Sequence, residues 1–375
     1  MSMTRPQKHN EMVSRLWADY AKGANERVPI TFATDEYVWL GLTGNTFREF
    51  YTDPRVQLQT CLRGDEWFRE NVVHDRPIGL PDQWGVAARF WMDEPECFGC
   101  EVDIQEDDYA WSRPVDLPKA DLLRTIADLD PREMVLNSRL WRLHMDIKDL
   151  AQDMSYRDRP VQVVFPGGGT HGVFTVASRV RGPDRLCVDM LDDPQFADEF
   201  IGLIADKTVE RIKAWHELAE TGRQFPLEGG WGMADDALEF LSGDMFRSMV
   251  LPHHRRMYDQ MTTGGRHAHL CGKAQQHYDI LYDELGVRTL DGPGPFVDHA
   301  AVLAQLPELR INAQTDDVLV MRGPVGDIDE MLRRLLTVGA KQPGRLNVTG
   351  FLFRDTPLSH VQAMYEAGKR YGGIA

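Results

Sequence analysis

The spacing of hydrophobic and polar positions changes rhythm near residue 155. Before that point helical spacing dominates: Met12, Leu16 and Tyr20 recur about every four residues with charges between them, so residues 1–25 read as an amphipathic helix. Residues 28–33 read as a strand and 43–63 as a helix. Residues 71–106 are crowded with Pro, Gly, Trp and acids, and read as irregular or antiparallel structure. The acid-rich stretch 116–130 reads as a connection, and 132–154 as helical. Beyond it, short apolar strands at 161–165, 267–271, 287–290, 309–313 and 346–349 alternate with helical stretches. One of these, 194–220, carries Phe196, Phe200, Ile204, Ile212 and Leu218 near one face, as a helix covering a sheet would.

Alternation of this kind predicts a parallel sheet wrapped in helices. No Gly-x-Gly-x-x-Gly follows a strand, the run Gly167-Gly168-Gly169 is too compact for a dinucleotide site, and no P-loop is present. With many βα units and no linker, the economical solution is one α/β domain over residues 1–375, a single (β/α)8 TIM barrel. Residues 1–150 then form an N-terminal elaboration and the first barrel units, and 151–375 the remaining barrel.

Composition narrows the function classes. The 375 residues carry a net charge of −16 without long basic runs, which argues against nucleic acid and anionic membrane as partners. No apolar signal core opens the chain and no 18 apolar residues run together, so a cytoplasmic protein is expected. Five thinly spread cysteines suit a reducing compartment; the Cys97-x-x-Cys100 spacing has no second pair and reads as local packing.

Barrel enzymes place their chemistry where strands end and βα loops begin. The polar residues expected there are His171, Asp235 and Asp236, His269 and Cys271, Asp291, and Gln314 with Asp316. An Asp in such a place also caps helices, the reading favoured for Asp316 and Asp317; of Asp235 and Asp236, one is expected to fix a loop and the other to face the cavity. His269-Leu270-Cys271 is the sharpest signal. On a strand of period two, imidazole and thiolate point to the same side and can reach one zinc ion; the alternative is a packed thiol beside a hydrogen-bonded imidazole.

The stretch from Pro252 to Gly272, ending Arg266-His-Ala-His-Leu-Cys-Gly, resembles the corresponding part of the uroporphyrinogen decarboxylase superfamily. Gly168-Gly-Thr-His-Gly-Val-Phe-Thr, Arg181-Gly-Pro-Asp-Arg-Leu, Asp192-Asp-Pro, Met233-Ala-Asp-Asp and the last helix from Asp355-Thr-Pro are similar too. The resemblance is strong over about residues 160–372 and loose before them. It implies a (β/α)8 barrel and one of two chemistries: metal-free tetrapyrrole decarboxylation, or zinc-dependent methyl transfer coupled to corrinoid proteins. The decarboxylases' arginine-rich N-terminal segment is absent; Pro29-Ile-Thr-Phe-Ala-Thr-Asp-Glu-Tyr stands there, and Asp35-Glu36 would repel a polycarboxylate.

Thiol-methylating members carry a second cysteine near the last strand, where this chain has Gly350-Phe351. Asp291, 20 residues after Cys271 in the sequence, is placed where related enzymes supply an acidic ligand, though a capping or loop role suits it equally. Zinc held by His269, Cys271 and Asp291 would be a stronger Lewis acid than a thiolate-rich site, suited to a methyl donor. The expected function is transfer of a methyl group from a small O- or N-methylated substrate to cobalt(I) of a corrinoid carried by a separate protein. Asp236 or His171 would protonate the leaving group, and Trp84, Trp231 and Phe174 would form an apolar wall, with Gln314 as a further substrate contact. The chain has no Asp-x-His-x-x-Gly corrinoid motif of its own. A monomer or homodimer is expected. The alternatives are a metal-free decarboxylase or lyase and a non-catalytic tetrapyrrole or corrinoid binder.

Overall fold

Six strands, β1 (Ile30–Thr34), β2 (Trp231–Ala234), β3 (Arg266–His269), β4 (Val287–Asp291), β5 (Arg310–Gln314) and β6 (Leu346–Leu352), form one parallel sheet in the computed structural model, which describes residues 3–166 and 170–374. Their order is β1-β6-β5-β4-β3-β2. Both edges of this sheet are extended by backbone that is not regular strand. At the β1 edge the Asp75 amide donates to the Ile30 carbonyl at 2.8 Å; at the β2 edge His171 bridges Ala234, with the Gly172 amide donating to the Ala234 carbonyl at 2.7 Å. These two segments bring the ring to eight positions, and the fold is a (β/α)8 barrel with an elaborated N-terminal region.

Residues 161–165, expected as a barrel strand, are placed elsewhere. Their strand, Arg159–Val164, pairs with Trp84–Ala87 in a separate three-stranded sheet that packs with the N-terminal helices. An apolar run alone does not say which sheet a strand joins, because burial on either satisfies it. The expected connection at 116–130 is mostly the helix Lys119–Ala127, whose Leu122 and Ile126 are buried. The Gly167–Gly169 run lies outside the described residues.

The two faces of the strands differ sharply. Ile30, Trp231, Met233, Ala268, Leu290, Ile311 and Val348 point to the helix layer and are buried in the main core. Trp231, for instance, meets Tyr258 of the helix Leu251–Met261 edge-on at 5.5 Å. The alternate positions face the barrel interior, and many of them are polar. Thr31 shares a hydrogen bond of 2.7 Å with Thr349, and Asn312 accepts from both Thr349 and Asn347 at 2.6 Å. Each member of this ladder answers the polar atoms of the next, so a polar interior carries little desolvation penalty.

Candidate active site

Parallel pairing aligns the strand ends in one row. Ala234 is opposite His269, His269 opposite Asp291, and Asp291 opposite Asn312. The two-residue period then sets His269 and Cys271 toward the mouth, as the sequence spacing predicts.

One ligand atom from each of Asp236, His269 and Cys271 lies within 4.8 Å of the others. The Cys271 thiol donates to Asp236 Oδ1 at 3.3 Å, the Cys271 amide donates to the same oxygen at 3.0 Å, and His269 Nε2 is 3.8 Å from it. Zinc bonded to N, O and S at about 2.0–2.3 Å makes a tetrahedron with edges of roughly 3.3–3.8 Å. The separations of Asp236 from the thiol and from the imidazole fall within those edges, and soft thiolate, imidazole and carboxylate are a donor set that suits zinc with a fourth position open.

The third donor brought to this set is Asp236, where the family resemblance suggests Asp291. Asp291 instead accepts from His269 Nδ1 at 2.7 Å, and its other oxygen takes the amide of Asn312. That contact fixes the ring so that Nε2 is the nitrogen left for a metal, the usual carboxylate–histidine support of a metal ligand. Burial pushes the His269 imidazole down, but the hydrogen bonds to Asp291 and Cys271 and the charges of Asp236 and Asp291 overcome this and raise it to about 10. Gly292 follows at φ 94°, and a Cβ there would stand 2.8 Å from His269 Cε1. Only glycine fits this close passage.

Asp235, expected with Asp236 among the polar residues at the strand ends, does something different from its neighbour. It is buried, accepts from the amides of Phe174 and Thr175 at 3.2 and 2.7 Å and from the Thr175 hydroxyl at 2.8 Å, and meets His254 Nε2 at 2.6 Å. It thereby caps the helix Val173–Arg181 and has no oxygen left for a substrate.

His171 stands on the other side of Ala234 from His269. Its Nδ1 is held by Glu94, which also accepts from the Thr170 hydroxyl at 2.5 Å and from Arg211 at 3.4 Å; Asp93 takes the other arm of Arg211 at 2.5 Å. Burial pushes His171 down, the adjacent Glu94 carboxylate pushes it up, and the net is upward. Burial works against ionised Glu94 as well, yet His171 and Arg211 hold it at about 2. The result is a histidine–carboxylate pair in which Glu94 favours the protonated imidazole and Nε2 is the nitrogen free for a reacting group.

Glu94 and Arg211 are the functional positions that sequence reasoning missed. Arg211 carried a signal: it falls on the buried stripe of the helix Pro194–Leu218, with Thr208, Ile212 and Trp215, and a buried arginine requires carboxylate partners. Glu94 lies in the irregular region and gave none beyond its acidity.

A cavity of about 410 Å³ opens beside this pair, lined by Phe90, Trp91, Leu140, Phe165 and Trp215, with Ala234 and His171 at its wall. The expected aromatic wall therefore consists of other residues. Trp84, Trp231 and Phe174 are 1, 3 and 0% exposed and pack in the cores. Gln314 donates to Asp317 at 2.6 Å and borders a different cavity, between the helices that follow β4 and β5. Phe351 packs beside Phe353, with ring centroids 5.4 Å apart and planes tilted by 54°, and its amide donates to Asp317. Asp35 and Glu36 are buried too: the Tyr109 hydroxyl bonds both, and Glu36 pairs with Arg89, so they do not stand out as a repelling surface pair.

The sequence matches the uroporphyrinogen decarboxylase (URO-D) family over residues 91–371, well over half of the chain. The chain belongs to that family. No curated protein matches it. Among solved structures, a methyltransferase from Methanosarcina mazei is similar over 96% of this chain and 98% of its own, with a TM-score of 0.64 at 15% identity, a likeness that speaks for the fold. A B12-independent methionine synthase from Shewanella sp. W3-18-1, in complex with selenomethionine, aligns over 60% of this chain and 66% of its own, with a TM-score of 0.36 at 10% identity. Among the described residues no helix is long and apolar enough to cross a membrane.

Proposed function

We propose that this URO-D family protein is a methyltransferase that moves a methyl group from a small O- or N-methylated substrate to a corrinoid carried by a separate protein. The observation that carries the reading is the Asp236–His269–Cys271 donor set beside the His171–Glu94 pair. Asp236, His269 and Cys271 would hold zinc, which when bound would supply a Lewis acid for the methylated heteroatom. In the transfer the methyl–heteroatom bond would break with its electron pair left on the heteroatom, the methyl group going to the reduced corrinoid of the partner protein. His171, oriented by Glu94 and favoured by it in the protonated form, donates the proton that the heteroatom then takes. Asp236 is engaged with Cys271 and His269, which leaves His171 as the better-placed acid.

Location in the cytoplasm accords with the free cysteines and with the reduced corrinoid the reaction needs. The test is metal analysis of protein washed free of adventitious ions, followed by demethylation assays with reduced corrinoid. About one zinc per chain and methylated cobalt support the reading; metal-free protein that demethylates nothing ends it. Carbon dioxide release from carboxylated substrates without zinc would instead establish the decarboxylase chemistry, the other of the two that the family resemblance implies.

A further inference from the structure

The cavity beside His171 has two properties that specify an occupant. Its lining is dominated by the aromatic rings of Phe90, Trp91, Phe165 and Trp215, and a volume of about 410 Å³ suits a molecule built around a ring. A one-carbon substrate such as methanol would leave most of that apolar lining in contact with water.

Every charged group in the lining already has a partner within the protein. Arg89 pairs with Glu36, Arg211 with Asp93 and Glu94, and His171 with Glu94. A charged substrate body would lose its hydration on entry and meet charged side chains already paired with one another, while the open donor His171 Nε2 is taken by the reacting oxygen, so the lining disfavours both carboxylates and quaternary ammonium groups.

Position supplies the link to chemistry. Ala234 belongs to the cavity wall and is the direct strand neighbour of His269, while His171 flanks it on the other side. Neighbouring strands are about 4.8 Å apart, so a group at that wall lies roughly one strand spacing from each of the two imidazole-bearing positions. From this geometry we infer that the cavity binds the body of an uncharged, ring-bearing methyl ether, with the methylated oxygen at the Ala234 wall and the ring against the aromatic side chains. The inference rests on the methyl-transfer reading for its orientation, but the binding itself requires neither zinc nor corrinoid.

The experiment is therefore a titration of zinc-free protein, followed by tryptophan fluorescence and calorimetry, with four probes: methoxybenzene, 4-methoxybenzoate, (4-methoxyphenyl)trimethylammonium and methanol. Methoxybenzene should saturate one site and bind at least about tenfold tighter than each of the others, the scale expected when an apolar ring is buried without an unpaired charge. Trp91→Ala, at a half-exposed rim position, should weaken methoxybenzene several-fold, and Ala87→Trp should abolish its binding by filling the cavity. Both variants should keep the wild-type zinc stoichiometry. Absence of saturable methoxybenzene binding, equal affinity for the charged probes, or binding untouched by both variants overturns the assignment. Tight binding without demethylation in the complete assay would leave the cavity assignment standing and remove the methyl-transfer reading.

Discussion

At the scale of single residues the site divides its acids by their partners. Asp236 faces the thiol and imidazole, Asp291 orients the imidazole from behind, and Asp235 is used up by a helix N-terminus and His254. Cys271→Ser and His269→Ala should each remove zinc from the purified protein, read by elemental analysis. Asp291→Asn should retain zinc stoichiometry at saturating metal but weaken affinity by about 10–100-fold, the usual cost of losing such a support. Asn312→Leu should follow the same direction more mildly, since Asn312 holds Asp291; competition with a chromophoric chelator measures both. The shared side of His269 and Cys271 was legible because a period of two is a local property. The approach of Asp236 was not, since it reaches them from the neighbouring strand end, and no spacing in sequence encodes that approach.

At the scale of elements, the βα turns carry constraints that substitutions should expose. Gly292→Ala would put a methyl group into the His269 ring at a left-handed backbone position. It should cost about 1–2 kcal/mol in urea unfolding and weaken zinc binding as well. The turn after β1 offers a pH test. Burial, with the neighbouring Glu36 charge, raises the Asp35 carboxyl from 3.8 to about 6 against the hydrogen bonds it accepts from Tyr109 and Val38. A group raised in the fold stabilises fully below its unfolded pKa and loses that contribution as pH rises through the folded value, here the window from about 4 to about 6. Asp35→Asn keeps the helix cap without the charge. Its stability relative to wild type should therefore grow by about 2 kcal/mol between pH 4.5 and pH 8, measured from urea midpoints. The elements that were legible, β3 to β6 and the helix Pro194–Leu218, have strong periodic patterns. The region 71–106 was not, because its strands are short and find their partners far away in sequence, as Trp84 does opposite Val161.

At the scale of the whole molecule, the proposed metal binding would be linked to folding. The three donors come from the ends of β2 and β3 and their loops, so zinc held by them would clamp two βα units together. Zinc at about 100 times its dissociation constant should stabilise the protein by about 2.7 kcal/mol. A saturable rise in Tm should follow, and it should vanish in Cys271→Ser; a rise that persists in that variant would place the metal elsewhere.

The sequence by itself determined the barrel class, the polarity and direction of its strands, and the His269–Cys271 pair, because each of these follows from short-range periodicity and from the order of elements along the chain. Only the tertiary structure decided which carboxylate joins the pair, that Glu94 and Arg211 stand behind His171, and which aromatic rings form the cavity. Those contacts join residues tens to more than a hundred positions apart. They exist because closing the sheet into a ring and laying the N-terminal region beside it bring distant strand ends and loops to one mouth.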